Sequence, residues 1–162
     1  MNGTNTLAWP FFDDCHRTLV QTCEHWAAEV LPPLLEGAEH DLDAVYACVR
    51  RLVTELGRAG LLRVCVPAAY GGAREALDVR SLGLAREVLA RASGLADFAL
   101  AMQGLGSAPV TLFGTHAQKL ALLPGVQDTV RPGASELARA TRLAELSNPE
   151  EARARVEAAI EA

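Results

Sequence analysis

The sequence predicts an all-α fold, in which a helical bundle is followed by a helical C-terminal tail. Alanine, which has the lowest cost in a helix, occurs 29 times in 162 residues, and aromatic residues, which favour strands, make up only 5%. Apolar residues also recur at steps of three and four along much of the chain. We therefore expect a helical domain over residues 1–126 and a linker with amphipathic helices over residues 127–162.

Length and charge exclude several classes of protein. With 162 residues, half of them hydrophobic, the chain has the length of one ordinary domain. Twenty acidic and fifteen basic residues give a formal net charge of −5, and the sequence contains no run of Lys or Arg. Sequence-independent nucleic-acid binding and adhesion to an anionic membrane both need clustered basic residues. We expect neither nucleic acid nor a membrane surface as a partner.

The cysteines and histidines do not predict a metal site. Cys15, Cys23, Cys48 and Cys65 form no CxxC pair and no zinc-ligand spacing. The residues at the N-terminus form neither the basic nor the apolar region of a secretory signal. We therefore interpret the cysteines as small buried hydrophobes in a reducing, cytoplasmic environment, and the histidines as surface or helix-capping residues.

Two helices are predicted in the first third of the chain. The first covers residues 11–31 and ends at Pro32-Pro33, because the residue before a proline is disfavoured in the helical region. Its apolar stripe consists of Phe12, Cys15, Leu19, Cys23, Trp26 and Val30. The second covers residues 42–59, and its buried row consists of Val45, Val49, Leu52 and Leu56.

The next stretch, LLRVCVPAAYGG, predicts a short extended segment and a tight turn. Gly71 and Gly72 allow a positive φ or a close approach of another part of the backbone. A phosphate-binding loop is the less favoured interpretation, because the G-x-x-x-x-G-K-[ST] pattern is missing.

Further helices are expected from Asp78 onward. Asp78 is typical of an N-cap for a helix that extends to about residue 92, with Val79, Leu82, Ala85 and Leu89 facing inward. Residues 95–113 carry one charge, and we interpret them as two buried helices, 96–104 and 109–113, separated by a glycine break; a membrane span is the alternative. Thr115 is predicted to cap a helix to residue 122, and Pro124-Gly125 to close the block.

Two motifs resemble signatures of a known family. The run ELGRAGLLRVCVPAAYGG over residues 55–72 and the run LFGTHAQKLALLP over residues 112–124 are similar to two signatures of the acyl-CoA dehydrogenases, in the order and at about the spacing of that family. The resemblance covers residues 9–126 and implies the N-terminal helical domain of these enzymes. Within the second motif, Gln118-Lys119 is interpreted as an exposed helix face, with ligand contact as the alternative.

The resemblance implies a flavin enzyme that oxidises an acyl thioester, such as acyl-CoA, at its α and β carbons. In the family, FAD accepts the hydride, a glutamate from a C-terminal helical domain removes the proton, and a middle β-domain supplies most flavin contacts. Residues 127–162 match neither the flavin motif nor these later domains. We therefore expect a truncated or split part that is inactive alone, with no catalytic residue of its own and with its cofactor-binding residues unassigned.

The resemblance also implies a site: one wall of the acyl-chain pocket, formed here by Asp97, Phe98, Ala101 and Leu105. Phe98, Ala101 and Leu105 are spaced so that one helical face could present all three, although they could equally be core residues. Asp97 is expected to be stabilised by the helix dipole in a first turn.

A non-catalytic helical module is the alternative function. Such a module would use an exposed apolar face to bind another protein or a second copy of itself, or would cover that face with residues 127–162.

Overall fold

The computed structural model describes residues 6–38 and 41–127. Its α-helices are α1 (Asp14–Glu29), α2 (Leu31–Leu35), α3 (Leu42–Arg58), α4 (Val79–Ala92), α5 (Gly94–Phe113) and α6 (His116–Gln127). Three short 3-10 helices accompany them, at Thr6–Ala8, Leu61–Cys65 and Ala68–Tyr70. Within these ranges no β-strand forms, and the only β contact is an isolated bridge between Pro67 and Arg74. The all-α prediction is confirmed.

The helices surround one hydrophobic core. Helix α1 packs on α4, α4 packs on α5, and α5 also contacts α3 and α6. The 3-10 helix Leu61–Cys65 lies among α3, α4, α5 and α6. Fully buried side chains come from each of these elements, including Cys23, Leu52, Leu56, Leu62, Leu89, Leu100 and Leu123.

Helix α1 is shorter than predicted, and its buried face is rotated. It ends at Glu29, and the double proline lies in the first turn of α2, where a missing N–H costs little. The buried residues of α1 are His16, Val20, Cys23 and Trp26, whereas Cys15 is exposed. The predicted stripe was therefore only partly right, because a histidine replaces a cysteine in it.

His16 is buried because both nitrogens of its ring have partners. Its Nδ1 accepts the backbone N–H of Asp13 at 3.0 Å, so the ring proton lies on Nε2, which donates to Asp78 Oδ2 at 2.8 Å. The expectation of a capping histidine is thus right for His16, and that of a surface histidine is wrong for this residue.

Asp78 joins the beginnings of α1 and α4. As predicted, it caps α4, accepting the backbone N–H of Arg80 at 3.1 Å. The same carboxylate also accepts hydrogen bonds from the side chains of His16, Arg74, Arg80 and Ser81. Partial burial by itself would raise the pKa of Asp78, but these hydrogen bonds outweigh burial and hold its pKa well below its ordinary value.

Helix α3 matches its prediction within one residue, but the segment after it does not. Residues 61–65 form a 3-10 helix rather than an extended strand, since Gly60 adopts a positive φ of 73° that turns the chain back onto the core. The tight turn at Gly71 is confirmed, with φ at 94°. The predicted close approach of backbone segments occurs at Gly72, where a Cβ would overlap the carbonyl group of Val66.

Helix α4 begins and ends as predicted, but its buried face was only partly predicted. Val79 is exposed, and Ser81, Leu84 and Val88 are buried together with the expected Ala85 and Leu89.

Helix α5 is continuous, so the predicted break is wrong. Gly104 does not interrupt the helix; a Cβ there would lie 3.5 Å from Leu82 and 3.7 Å from Cys65, at ordinary van der Waals distances. Ser107 fixes the same contact by donating to the carbonyl oxygen of Cys65 at 2.8 Å. Pro109 lies inside the helix rather than at its first position. Among the described helices, none combines the length and hydropathy needed to cross a membrane.

Helix α6 begins as predicted and continues past the expected stop. Thr115 Oγ1 accepts the N–H of Gln118 at 3.2 Å, and Gln118 Oε1 accepts the N–H of Thr115 at 2.8 Å, which is a reciprocal capping box. The helix includes Pro124 and Gly125 and is described as far as Gln127. The predicted linker and tail beyond it lie outside the described residues.

The hydrogen bonds to the Asp78 carboxylate predict that the stability of the fold depends on pH. Asp78→Asn should reduce the free energy of unfolding by about 2–3 kcal/mol at neutral pH, because it weakens several hydrogen bonds to a partly buried carboxylate. The folded-state pKa is lowered, so this stabilisation is complete above the unfolded pKa of about 4 and is lost as pH falls towards the folded pKa. Urea unfolding from pH 7 to 3 should show the difference between variant and wild type narrowing. Asp14→Asn, at an exposed ion pair, is the control, and an equal loss there would contradict the assignment.

Replacing glycine by alanine is expected to have opposite effects on stability at Gly72 and Gly83. Gly72→Ala should cost about 3 kcal/mol or more, since its methyl group would overlap backbone atoms that cannot move aside. Gly83→Ala should instead stabilise the chain by about 0.5–1 kcal/mol, because Gly83 is inside α4 with open space above it. Thermal unfolding monitored by circular dichroism measures both, and similar effects of the two substitutions would contradict this account.

Candidate functional site

The exposed face of α5 is the candidate site. Exposed residues of this helix recur at steps of three, four or seven and so share one face, which we call the α5 stripe: Phe98, Met102, Leu105, Gly106, Pro109, Leu112 and Phe113. None of these residues is charged. Exposed helix faces are normally polar, so the stripe differs from what a helix surrounded by water requires.

Three of the four predicted site residues lie at this face. Phe98 is 55% exposed and Leu105 is 67% exposed. Ala101 is half-buried at the edge of the stripe, one turn from each of them. The structure therefore brings together the three residues whose spacing suggested a common face, and their role in binding stays a prediction.

Asp97 is oriented by an ion pair rather than left free. It lies in the first turn of α5, as expected, and accepts two hydrogen bonds from Arg86 of α4, at 2.8 and 3.0 Å. These bonds raise the pKa of the Arg86 guanidinium. A bidentate pair of this kind is directional, so its evident role is to hold the first turn of α5 against α4.

The donor atoms of Asp13, Cys15 and His16 lie within 4.8 Å of one another, a separation that could suit a metal ion. However, both nitrogens of His16 already have hydrogen-bond partners. The guanidinium groups of Arg74 and Arg80 also lie 3.7 and 3.5 Å from the Asp13 carboxylate, where they would repel a cation. We assign this group to helix capping.

The interior cysteines match their interpretation as small hydrophobes. Cys23, Cys48 and Cys65 are buried and free. Burial raises the pKa of the Cys23 and Cys65 thiols to about 12, which keeps them protonated and unreactive. Cys15 is the exception, because it is exposed.

Sequence reasoning missed the partners of several polar residues. His16 and Asp78 are 62 residues apart in sequence, and Ser107 and Cys65 are 42 apart. The capping position of Asp78 was visible, but no local pattern identifies the histidine that it binds. Gln118 is exposed, as interpreted, but its role in capping Thr115 was not predicted.

The two sequence motifs meet in space. The first includes the end of α3, the 3-10 helices Leu61–Cys65 and Ala68–Tyr70, and the Gly71-Gly72 turn. The second includes the end of α5 and most of α6, and α6 packs on both 3-10 helices. The motif residues thus form one structural unit, which includes Leu112 and Phe113 at the C-terminal end of the α5 stripe.

Comparison with known proteins agrees with these motifs. The family model for the acyl-CoA dehydrogenase N-terminal domain matches residues 13–129. A protein of Bacillus subtilis (strain 168) named "Probable acyl-CoA dehydrogenase" is 34% identical over 116 residues, which is 71% of this chain and 18% of that protein. The matched stretch thus spans less than a fifth of the relative's length. The chain belongs to the acyl-CoA dehydrogenase family, and its described helices form the N-terminal domain of that family.

Proposed function

We propose that this chain is the helical N-terminal part of an FAD-dependent oxidoreductase that acts on the CH–CH bond of an acyl thioester. In this proposal the α5 stripe, with Phe98, Ala101 and Leu105, lines one wall of the acyl-chain pocket, and Asp97 fixes the beginning of that wall. The observation that supports it is the uncharged, exposed face of α5 in a domain of this family.

The chemistry of the stripe suits a hydrocarbon chain. From Phe98 to Leu112 it extends about 21 Å along the helix, at 1.5 Å per residue. Removing a methylene group from water contributes about 0.8 kcal/mol, so a row of apolar side chains can bind an acyl chain without any polar contact. Such a wall selects substrates by length and width, because its side chains set the depth of the pocket.

The residues of α5 do not fit the flavin itself. The only charged residue in this helix is Asp97, whose carboxylate is paired with Arg86, so α5 offers no cation that could bind a pyrophosphate group. We therefore propose that other domains supply the FAD site and the carboxylate that removes the substrate proton. The chain alone is then inactive. The proposal includes a cytoplasmic location, which three buried free cysteines support.

The proposal predicts that the purified full chain has no flavin and no turnover. Its absorption spectrum after mixing with FAD and desalting should lack the flavin bands. Oxidation of acyl-CoA of several chain lengths with an artificial electron acceptor should not exceed the rate without protein. Turnover by the chain alone would contradict the proposal that other domains supply the FAD site and the catalytic carboxylate.

The pocket wall is tested by substrate selectivity in a chimera. Residues 13–127 of this chain would replace the matching stretch of the Bacillus subtilis relative, and oxidation of short and long acyl-CoA would be compared. We expect Leu105→Trp to lower kcat/KM for the long substrate by about tenfold or more, because a larger side chain shortens the pocket, and to spare the short one.

Leu42→Trp is the matched control, since Leu42 is an equally exposed leucine at the beginning of α3. An unsubstituted chimera that turns over acyl-CoA, combined with equal selectivity in both variants, would contradict a role for the stripe in the pocket.

A non-catalytic interaction module remains the second candidate, because the same stripe would suit a protein partner. The chimera separates the two: a module that has lost its pocket would give no change in chain-length selectivity when the stripe is altered.

A further inference from the structure

We propose that a second copy of this chain covers the α5 stripe, with the two α5 helices crossing near Gly106. This inference goes beyond the proposed function, because it concerns the chain in the absence of any flavin-bearing partner. It depends on the charge, the area and the shape of the stripe.

The charge pattern of the stripe permits self-association. In a symmetric dimer each residue of the interface meets the same surface of the other copy, so any charge in it would face a like charge. The stripe has no charged residue from Phe98 to Phe113. Asp97 lies just before it, and its carboxylate is already bound by Arg86. Neither copy therefore brings an unpaired charge to the contact.

The exposed area is large enough for a specific contact. The exposed fractions of the five large side chains are 55% for Phe98, 42% for Met102, 67% for Leu105, 61% for Leu112 and 86% for Phe113. Together they expose on the order of 500 Å² of apolar surface per copy. Two copies would then bury about 1,000 Å², the lower limit for a specific interface, before any flanking residue is counted.

The shape of the stripe suits another helix. Phe98, Leu105 and Leu112 are seven residues apart, and Met102 and Pro109 alternate with them at steps of three and four, which is the spacing of a helix-packing seam. Gly106 lies near the middle of α5 and is exposed, with no atom within 4 Å of the position of a Cβ. A glycine there provides a shallow point where a second helix can approach closely.

The test is the mass of the full chain in solution. Analytical ultracentrifugation at increasing concentration should show a reversible monomer–dimer equilibrium. Added salt should leave the dimer unchanged or strengthen it, because the contact is apolar and each copy carries a net charge of −5.

Two pairs of variants locate the contact. Leu105→Glu should raise the dissociation constant about 30-fold or more, whereas Leu42→Glu, at a leucine with 64% exposure on α3, should change it less than about twofold. Gly106→Leu should weaken the dimer by filling the crossing point, and Gly83→Leu on α4 should not. Met102→Lys replaces Leu105→Glu if circular dichroism shows that the latter does not fold.

A wild-type chain that stays monomeric at about 100 μM would overturn the inference, as would a dimer that survives both Leu105→Glu and Met102→Lys. Open-ended association into larger species would also overturn it, since a two-fold contact closes at the dimer. None of these outcomes bears on the acyl pocket, which is tested by selectivity in the chimera.

Discussion

The carboxylate of Asp78 connects parts of the chain that are distant in sequence. It caps α4 and accepts a hydrogen bond from His16 Nε2–H at 2.8 Å, so the first turn of α1 is held against the beginning of α4. Arg80, which also binds Asp78, adds a further contact by donating to the carbonyl oxygen of Phe11, before α1, at 2.9 Å. Helix α1 then packs along α4, and α4 in turn supports α5. The orientation of the α5 stripe therefore depends in part on a polar contact at the beginning of α4.

The second constraint is close packing around the 3-10 helix Leu61–Cys65. Gly104 of α5 lies against Cys65 and Leu82, and Ser107 donates to the Cys65 carbonyl oxygen. These contacts use the inner face of α5 and leave its outer face without partners inside the described part of the chain. The same helix is thus tightly held on one side and apolar on the other, which is why its outer face is the candidate site.

Local sequence features predicted much of this fold, and their failures have physical causes. Helix α3, the caps at Asp78 and Thr115, and the Gly71 turn were predicted because each depends on neighbouring residues. Gly104 and Pro124 were interpreted as helix ends and Pro109 as the first residue of a new helix. Instead α5 and α6, which pack on each other and on the 3-10 helix Leu61–Cys65, continue through all three. Of the site, the common face of Phe98, Ala101 and Leu105 was predictable from spacing. The partner of Asp97 was not, since Arg86 belongs to the preceding helix.

Pro109 has a consequence for anything that lies on α5. It has no N–H to give to the carbonyl group of Leu105, four residues earlier, and both residues are exposed on the stripe. That oxygen can bind water while the face is open. Once the face is covered, keeping that water in place avoids the loss of about 1–3 kcal/mol that burial of a carbonyl oxygen without its donor would cost. A close-fitting occupant, whether an acyl chain or a second helix, should therefore leave room for one water molecule beside Leu105.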